Sequence, residues 1–229
     1  KKENAFDCFK SNGKDVSEFR KTESFSTVKI NNKIDVTIFN GPDYKVEVGA
    51  GAHVIKNIST RVTGGELNLE NNNTCNFVRG YKKTVQVNIT APYVKLVFND
   101  GVGTVRFSDD FVQDTLLVKA GNSGDIHING HFNEIRTSSH GNGDIYIKGA
   151  TNTLFVYTKG TNFLNAQNLS VYDYAFIETL SIGDCYLNAE NLQKFEYNIW
   201  KSGNIYYTGN PAEIKDFSDH KGKGQAIKK

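Results

Sequence analysis

The chain has 229 residues and a net charge of +2, from 27 basic and 25 acidic side chains, with Phe 15 and Tyr 11 against Met 0 and Pro 3. That balance offers no electrostatic handle for nucleic acid, and the aromatic-rich composition favours strands over helices. No stretch approaches the ~18 apolar residues that a membrane-spanning helix needs, so the chain reads as soluble, with a mature or trimmed start at Lys1.

Residues 1–23 are polar, carry the turn signal Asn12-Gly13, and read as an N-terminal arm. From 24 to 98 the pattern is β. Val28 and Ile30 are followed by Ile34, Val36 and Ile38, then by Val46 and Val48 after the Gly41-Pro42-Asp43 turn. Ile58, Thr60 and Val62 form a further strand, and Gly64-Gly65 leads into Leu67 and Leu69. An asparagine-rich loop carries Cys75, after which Val85, Val87 and Ile89 run toward Pro92. This segment is either the first coils of a solenoid that continues to residue 215 or a separate β subdomain.

Residues 99–215 repeat one phrase. Gly124-Asp125-Ile126-His127-Ile128 returns at Gly143, Gly183 and Gly203, with weaker copies at Gly103 and Gly160. These glycines are 21, 19, 17, 23 and 20 residues apart, the signature of one supersecondary unit per rung. Two residues on from each glycine stand Val105, Ile126, Ile145, Asn162, Cys185 and Ile205. Four on stand Phe107, Ile128, Ile147, Leu164, Leu187 and Tyr207. A second strand enters each corner through Val118, Thr137, Leu154, Ile177 and Tyr197, then Ala120, Ser139, Val156, Thr179 and Ile199. Two strands, a corner and a return in about 20 residues predict an all-β fold, a parallel β-helix. Residues 216–229 read as a C-terminal cap and tail.

The residue after each glycine is Thr104, Asp125, Asp144, Thr161, Asp184 or Asn204. Stacked Asp125 and Asp144, about 4.8 Å apart by strand spacing, invite two chemistries: a Ca²⁺ site or an acid–base pair. The plainer reading is turn chemistry, because Asp, Asn and Thr all bond to nearby backbone N–H groups. His53, His127, His131, His140 and His220 show no ligand spacing beyond His127/His131, and no metal, cofactor or catalytic set is expected. Cys185 falls on an inward position. Cys8 and Cys75 lie in polar settings, where either could be a free thiol and a single Cys8–Cys75 disulfide would account for both; that pairing would place the chain in an oxidising compartment.

The outward positions carry rings. Beside the corner, one side reads Arg106, His127, Tyr146, Phe163, Tyr186, Tyr206 and the other Gly121, His140, Tyr157, Leu180, Trp200. Tyr157, Phe163, Leu180, Tyr186, Trp200 and Tyr206 therefore form the candidate contact surface, for a carbohydrate, a protein or a second copy, unless the arm or a loop covers it.

Val28–Ile38, Tyr44-Lys45-Val46-Glu47-Val48, Gly64-Gly65-Glu66-Leu67-Asn68-Leu69, the Gly-Asp-Ile rungs and the ending Ser202–Pro211 together resemble the head GIN domain family over roughly 24–225. The segments around Cys8 and Cys75 are similar to a two-cysteine subgroup of it. The resemblance implies an extracytoplasmic protein, secreted or held to a membrane only through a lipid anchor outside this chain, that acts in adhesion. It supplies no catalytic residues. The expectation is a non-enzymatic surface adhesion or binding module, against two rivals: a polysaccharide-active enzyme on the same scaffold, and a structural envelope protein that self-assembles.

Overall fold

The computed structural model describes residues 11–73, 84–219 and 221–229. Cys8, Cys75 and His220 lie outside the described residues, as do Arg79, Lys82 and Lys83. Period-2 alternation dictates what those residues build. Each strand buries one side against the opposite wall, and parallel stacking gives every rung's backbone a partner above and below. The result is a β-solenoid whose strands join in one 18-stranded, mostly parallel sheet, interrupted among the described residues by a single 3-10 turn at Ile55–Asn57.

The repeat region is the regular part. β11 (Ile126–Ser139), β12 (Ile145–Gly160) and β13 (Leu164–Ser181) each run along one wall, bend, and continue along the other. The bend falls at Gly130 and Gly149, whose φ values of 151° and 111° favour a residue without a side chain. Before them come β9 (Val105–Phe107) and β10 (Phe111–Ala120). After them come β14 (Cys185–Asn188), β15 (Lys194–Ile199), β16 (Ile205–Thr208), β17 (Glu213–Asp216) and β18 (Ala226–Lys228), all paired parallel with the rung before.

The strands described up to residue 101 belong to the same sheet, in a permuted order. β2 (Thr27–Asn32) and β3 (Ile34–Asn40) form one coil. That coil is sandwiched between β6 (Glu66–Asn71) with β7 (Val85–Ala91) on one side and β8 (Leu96–Gly101) with β9 on the other. β4 (Lys45–Gly51) pairs antiparallel with β7, β1 (Asp15–Arg20) antiparallel with β4, and β5 (Ile58–Thr63) antiparallel with β6. The segment made first is thus enclosed by later ones, and antiparallel strands finish that end.

The interior follows the alternation. Ile126, Ile128, Ile145, Ile147 and Leu187 are at most 2% exposed, each contributing on the order of 1.5–3 kcal/mol by burial. One rung departs from the glycine count. Leu164, not Asn162, pairs with Ile145 and Cys185, so the corner place of that rung belongs to Asn162 and not to Gly160. Asn162 can replace glycine there because its amide is itself buried, donating to the carbonyls of Gly141 and Lys159 at 2.9 Å each. The neighbouring columns move with it. Val156 and Thr158, where the glycine count puts Leu154 and Val156, continue the columns of Thr137 and Ser139.

The interior beside the corner is partly polar. Thr158 donates to Thr179 at 3.0 Å, and Ser181 donates to the carbonyls of Asn162 and Gly160. Cys185 is a buried free thiol beside Thr158 and Thr179, and burial pushes its pKa up to about 12.

Candidate functional site

The acidic corner column is structural. Asp125 accepts the backbone N–H of Asp144 at 2.9 Å, Asp144 that of Phe163 at 2.8 Å, and Asp184 that of Asn204 at 2.8 Å. Asp35 starts the series on Thr104, and Asn204 ends it on Gln225. Each carboxylate bonds the next rung, satisfying a donor that the corner takes out of the ladder. Among the described residues no group of three or more His, Cys, Asp or Glu stands close enough to hold a metal ion.

A groove opens beside this column. In-register pairing sets Arg106 next to His127, His127 next to Tyr146 and Tyr146 next to Asn165 along one wall. The His127 and Tyr146 rings stack at 4.7 Å with 6° between their planes. The Tyr146 hydroxyl donates to Asp144 at 3.3 Å, and burial together with the Asp144 and Asp125 charges raises its pKa. The opposite wall is Asp109, Asn129, Lys148 and Asn168, with the strand segments at Phe107, Ile128 and Ile147 as floor. Asp109 accepts from Asn129 and from the Lys148 ammonium. The cleft so bounded is about 290 Å³, near the lower end of small-molecule sites.

Two sequence details shape it. Asn165 places a short side chain between the ring pairs 127/146 and 186/206, which leaves a recess in the column. β13 also carries an extra residue there. Tyr146 pairs with Asn165 while Lys148 pairs with Asn168, a bulge that brings Asn168 to the rim. Sequence reasoning places Arg106, His127 and Tyr146 outward and misses the second wall. The signal was present: from Asn162 to Gly183 is 21 residues where the two previous rungs take 19, and the surplus is this bulge and a second one near Tyr172.

The six residues of the expected contact surface do not form one strip. Tyr186 and Tyr206 stack at 5.3 Å on the groove wall's continuation, with the Lys229 ammonium 4.2 Å from the Tyr206 ring centre. Leu180 and Trp200 occupy successive rungs on the other side of the corner. The Trp200 indole N–H donates to Glu178 at 2.9 Å. The shifted rung displaces the remaining two. Phe163 sits in the aspartate column, 44% exposed, and Tyr157 lies one column away, packed on His140 and paired with Glu178. Ile182, 57% exposed on the same corner, was not anticipated.

On the opposite wall the rings are engaged with neighbours. The Arg136 guanidinium lies 3.9 Å over Phe155 and is clamped by Glu134. Tyr174 donates to Glu196 at 2.6 Å, and burial ahead of that carboxylate pushes its pKa up to about 12.

A family model described as "Putative auto-transporter adhesin, head GIN domain" matches residues 24–211. Among solved structures, the chain is similar to a putative adhesin from Bacteroides fragilis, with a TM-score of 0.82 and 20% identity over 94% of this chain and 97% of that one. It is also similar to a putative lipid binding protein from Parabacteroides distasonis, at TM-score 0.70 and 15% identity over 95% and 98%. A putative adhesin from the same species has a TM-score of 0.63 and 17% identity, over 95% and 98%. At such identities the likeness shows the fold alone. No curated protein matches the sequence.

Proposed function

The chain belongs to the head GIN domain family of putative auto-transporter adhesins, and from that premise we propose that it is a non-enzymatic, extracytoplasmic binding module that holds a carbohydrate in the groove along Arg106, His127, Tyr146 and Asn165. The observation that carries this reading is the groove's make-up. The edges of a parallel ring stack offer an apolar strip, and a facing wall of two amides, a lysine and an aspartate offers donors and acceptors to hydroxyls. The scaffold is rigid, because every rung is bonded to two others and the corner carboxylates tie successive coils, so little ordering cost falls on the site when a ligand arrives. The non-enzymatic part rests on the same bonds: Asp125 and Asp144 are committed to backbone N–H groups and Asp109 to Asn129 and Lys148. A glycan array with the purified protein is expected to retain a subset of sugars without cleaving them and to lose them with Tyr146→Ser. A blank array would contradict the proposal, and release of new reducing ends would favour the enzyme reading.

A second reading has its own observation. Ile182, Phe163 and Trp200, 57%, 44% and 43% exposed, share one corner with Leu180 and make an apolar patch suited to a second copy of the chain. Sedimentation that shifts to a smaller species with Ile182→Ser and Trp200→Ser would support it, and a wild-type chain that sediments as a monomer would remove it.

A further inference from the structure

The groove's two ends differ in charge, and the difference points to a ligand class. Lys148 is paired with Asp109, and Asn129 holds the same carboxylate, so that wall is close to neutral. Arg106 makes no salt bridge among the described residues. Its strand neighbours, Thr37 on β3 and His127 on β11, carry no carboxylate. The guanidinium is exposed at the mouth of the cleft, where a planar fork of donors meets whatever enters.

The charges around the ring stack are unevenly placed. Burial is the largest influence on its ring and lowers its pKa. Arg106 lowers it further, Asp125 raises it, and Lys148 lowers it again. Arg106 and Lys148 thus face His127, while the carboxylates of Asp144 and Asp125 face Tyr146. The neighbouring hydrogen-bonding groups are already oriented. The Tyr146 hydroxyl is committed to Asp144, and the Asn165 side-chain oxygen accepts the N–H of Gln167, which leaves the Asn165 amide group to donate into the recess.

Resting on the carbohydrate reading above, we infer that the groove selects acidic saccharides, seating a sugar carboxylate on Arg106 while the sugar ring lies against the His127–Tyr146 stack. The C–H groups of the sugar meet the ring edges of the stack, and a planar carboxylate meets the cleft cation that has no carboxylate partner among the described residues. The facing amides then read the hydroxyls. A neutral sugar would leave Arg106 solvated and gain only the contact with the ring edges.

The test separates charge from shape. Trisaccharides of galacturonate, glucuronate, mannuronate and guluronate are each titrated calorimetrically into the protein beside their methyl esters, which keep the ring and delete the charge. At least one acid should bind about tenfold tighter than its ester, the size of one charge-assisted hydrogen-bonded pair. Arg106→Gln should erase that preference, bringing the acid down to the affinity of its ester with thermal unfolding unchanged, and Arg106→Lys should restore part of it. Equal affinity for acids and esters would overturn the inference and leave the groove reading standing. A preference that survives Arg106→Gln but disappears with Lys148→Gln would overturn the placement of the carboxylate. No uronate bound beside an array that retains neutral sugars overturns the acidic class, and a blank array takes the carbohydrate reading down with it.

Discussion

The rungs spanning residues 105–168 and those spanning 174–208 stack on one continuous ladder, yet they use their outward side chains differently. In the first set the rings of His127 and Tyr146 line a cleft, with Arg106 at its mouth, without a salt bridge among the described residues, and Asn165 opening a recess. In the second no such cleft opens beside Tyr186 and Tyr206 among the described residues, and the polar handles are engaged inside the molecule as they are at Tyr146 and Lys148. Trp200 donates to Glu178, Tyr174 to Glu196, and Lys229 lies over Tyr186 and Tyr206. The interiors are alike in being mixed, with Ile126, Ile128, Ile145 and Ile147 beside Thr137 and Ser139 in one and Ile177, Leu187, Phe195 and Ile205 beside Thr179 and Ser181 in the other. A solenoid repeat fixes the spacing of side chains and leaves their chemistry open. Which rungs bind then depends on where the outward side chains leave a cleft that a ligand can enter.

The largest expected effect probes what the two sets share. Ile147→Ala and Leu187→Ala, both buried and both held between rungs, should each cost about 2–5 kcal/mol in denaturant unfolding, because stacked coils cannot collapse into the hole. A cost below about 1 kcal/mol at either position would show that the two interiors are not equally packed. Corners come next. A methyl group on Gly143 would collide with the Gly124 carbonyl and one on Gly203 with that of Gly183, so either Gly→Ala change should cost about 1–3 kcal/mol. If only one corner responds, the ladder is not equivalent across the two sets.

The smallest effect separates them. His127 titrates below its ordinary value of 6.5, chiefly through burial, so the unfolded chain takes up a proton first as the pH falls below 6.5. Stability should therefore decline with falling pH until the native pKa is reached, and His127→Asn should remove that part of the slope. The later rungs hold no histidine between 174 and 208 and should add no such slope. A pH profile unchanged by His127→Asn would mean that the ring is as solvated as in the unfolded chain.

Much of this was legible in the sequence. The period, the inward columns at Ile126, Ile128, Ile145 and Ile147, and the outward placement of His127 and Tyr146 all follow from alternation around a glycine corner. Counting by glycine misaligns the Gly160 rung, because a buried asparagine that bonds two carbonyls fills the corner there. That slip puts Phe163 and Tyr157 into the wrong columns. The order of the N-terminal coils was not legible, since β2 and β3 have the same alternation whether their neighbours come from residues before or after them. The second wall of the groove was hidden for a related reason: a bulge sets it, and periodicity registers a bulge only as a rung that is too long.

Binding by one set of rungs and not the other is the central claim, and it has a direct measurement. A glycan retained on the array is titrated into three proteins, the wild type, Tyr146→Ser and Tyr206→Ser, all checked for equal thermal unfolding. Both substitutions remove one ring of a stacked pair from the same outward column. Affinity should fall by about tenfold or more for Tyr146→Ser, the loss of one ring from the apolar strip, and stay at the wild-type value for Tyr206→Ser. Unchanged affinity in Tyr146→Ser, or a loss confined to Tyr206→Ser, would contradict the account.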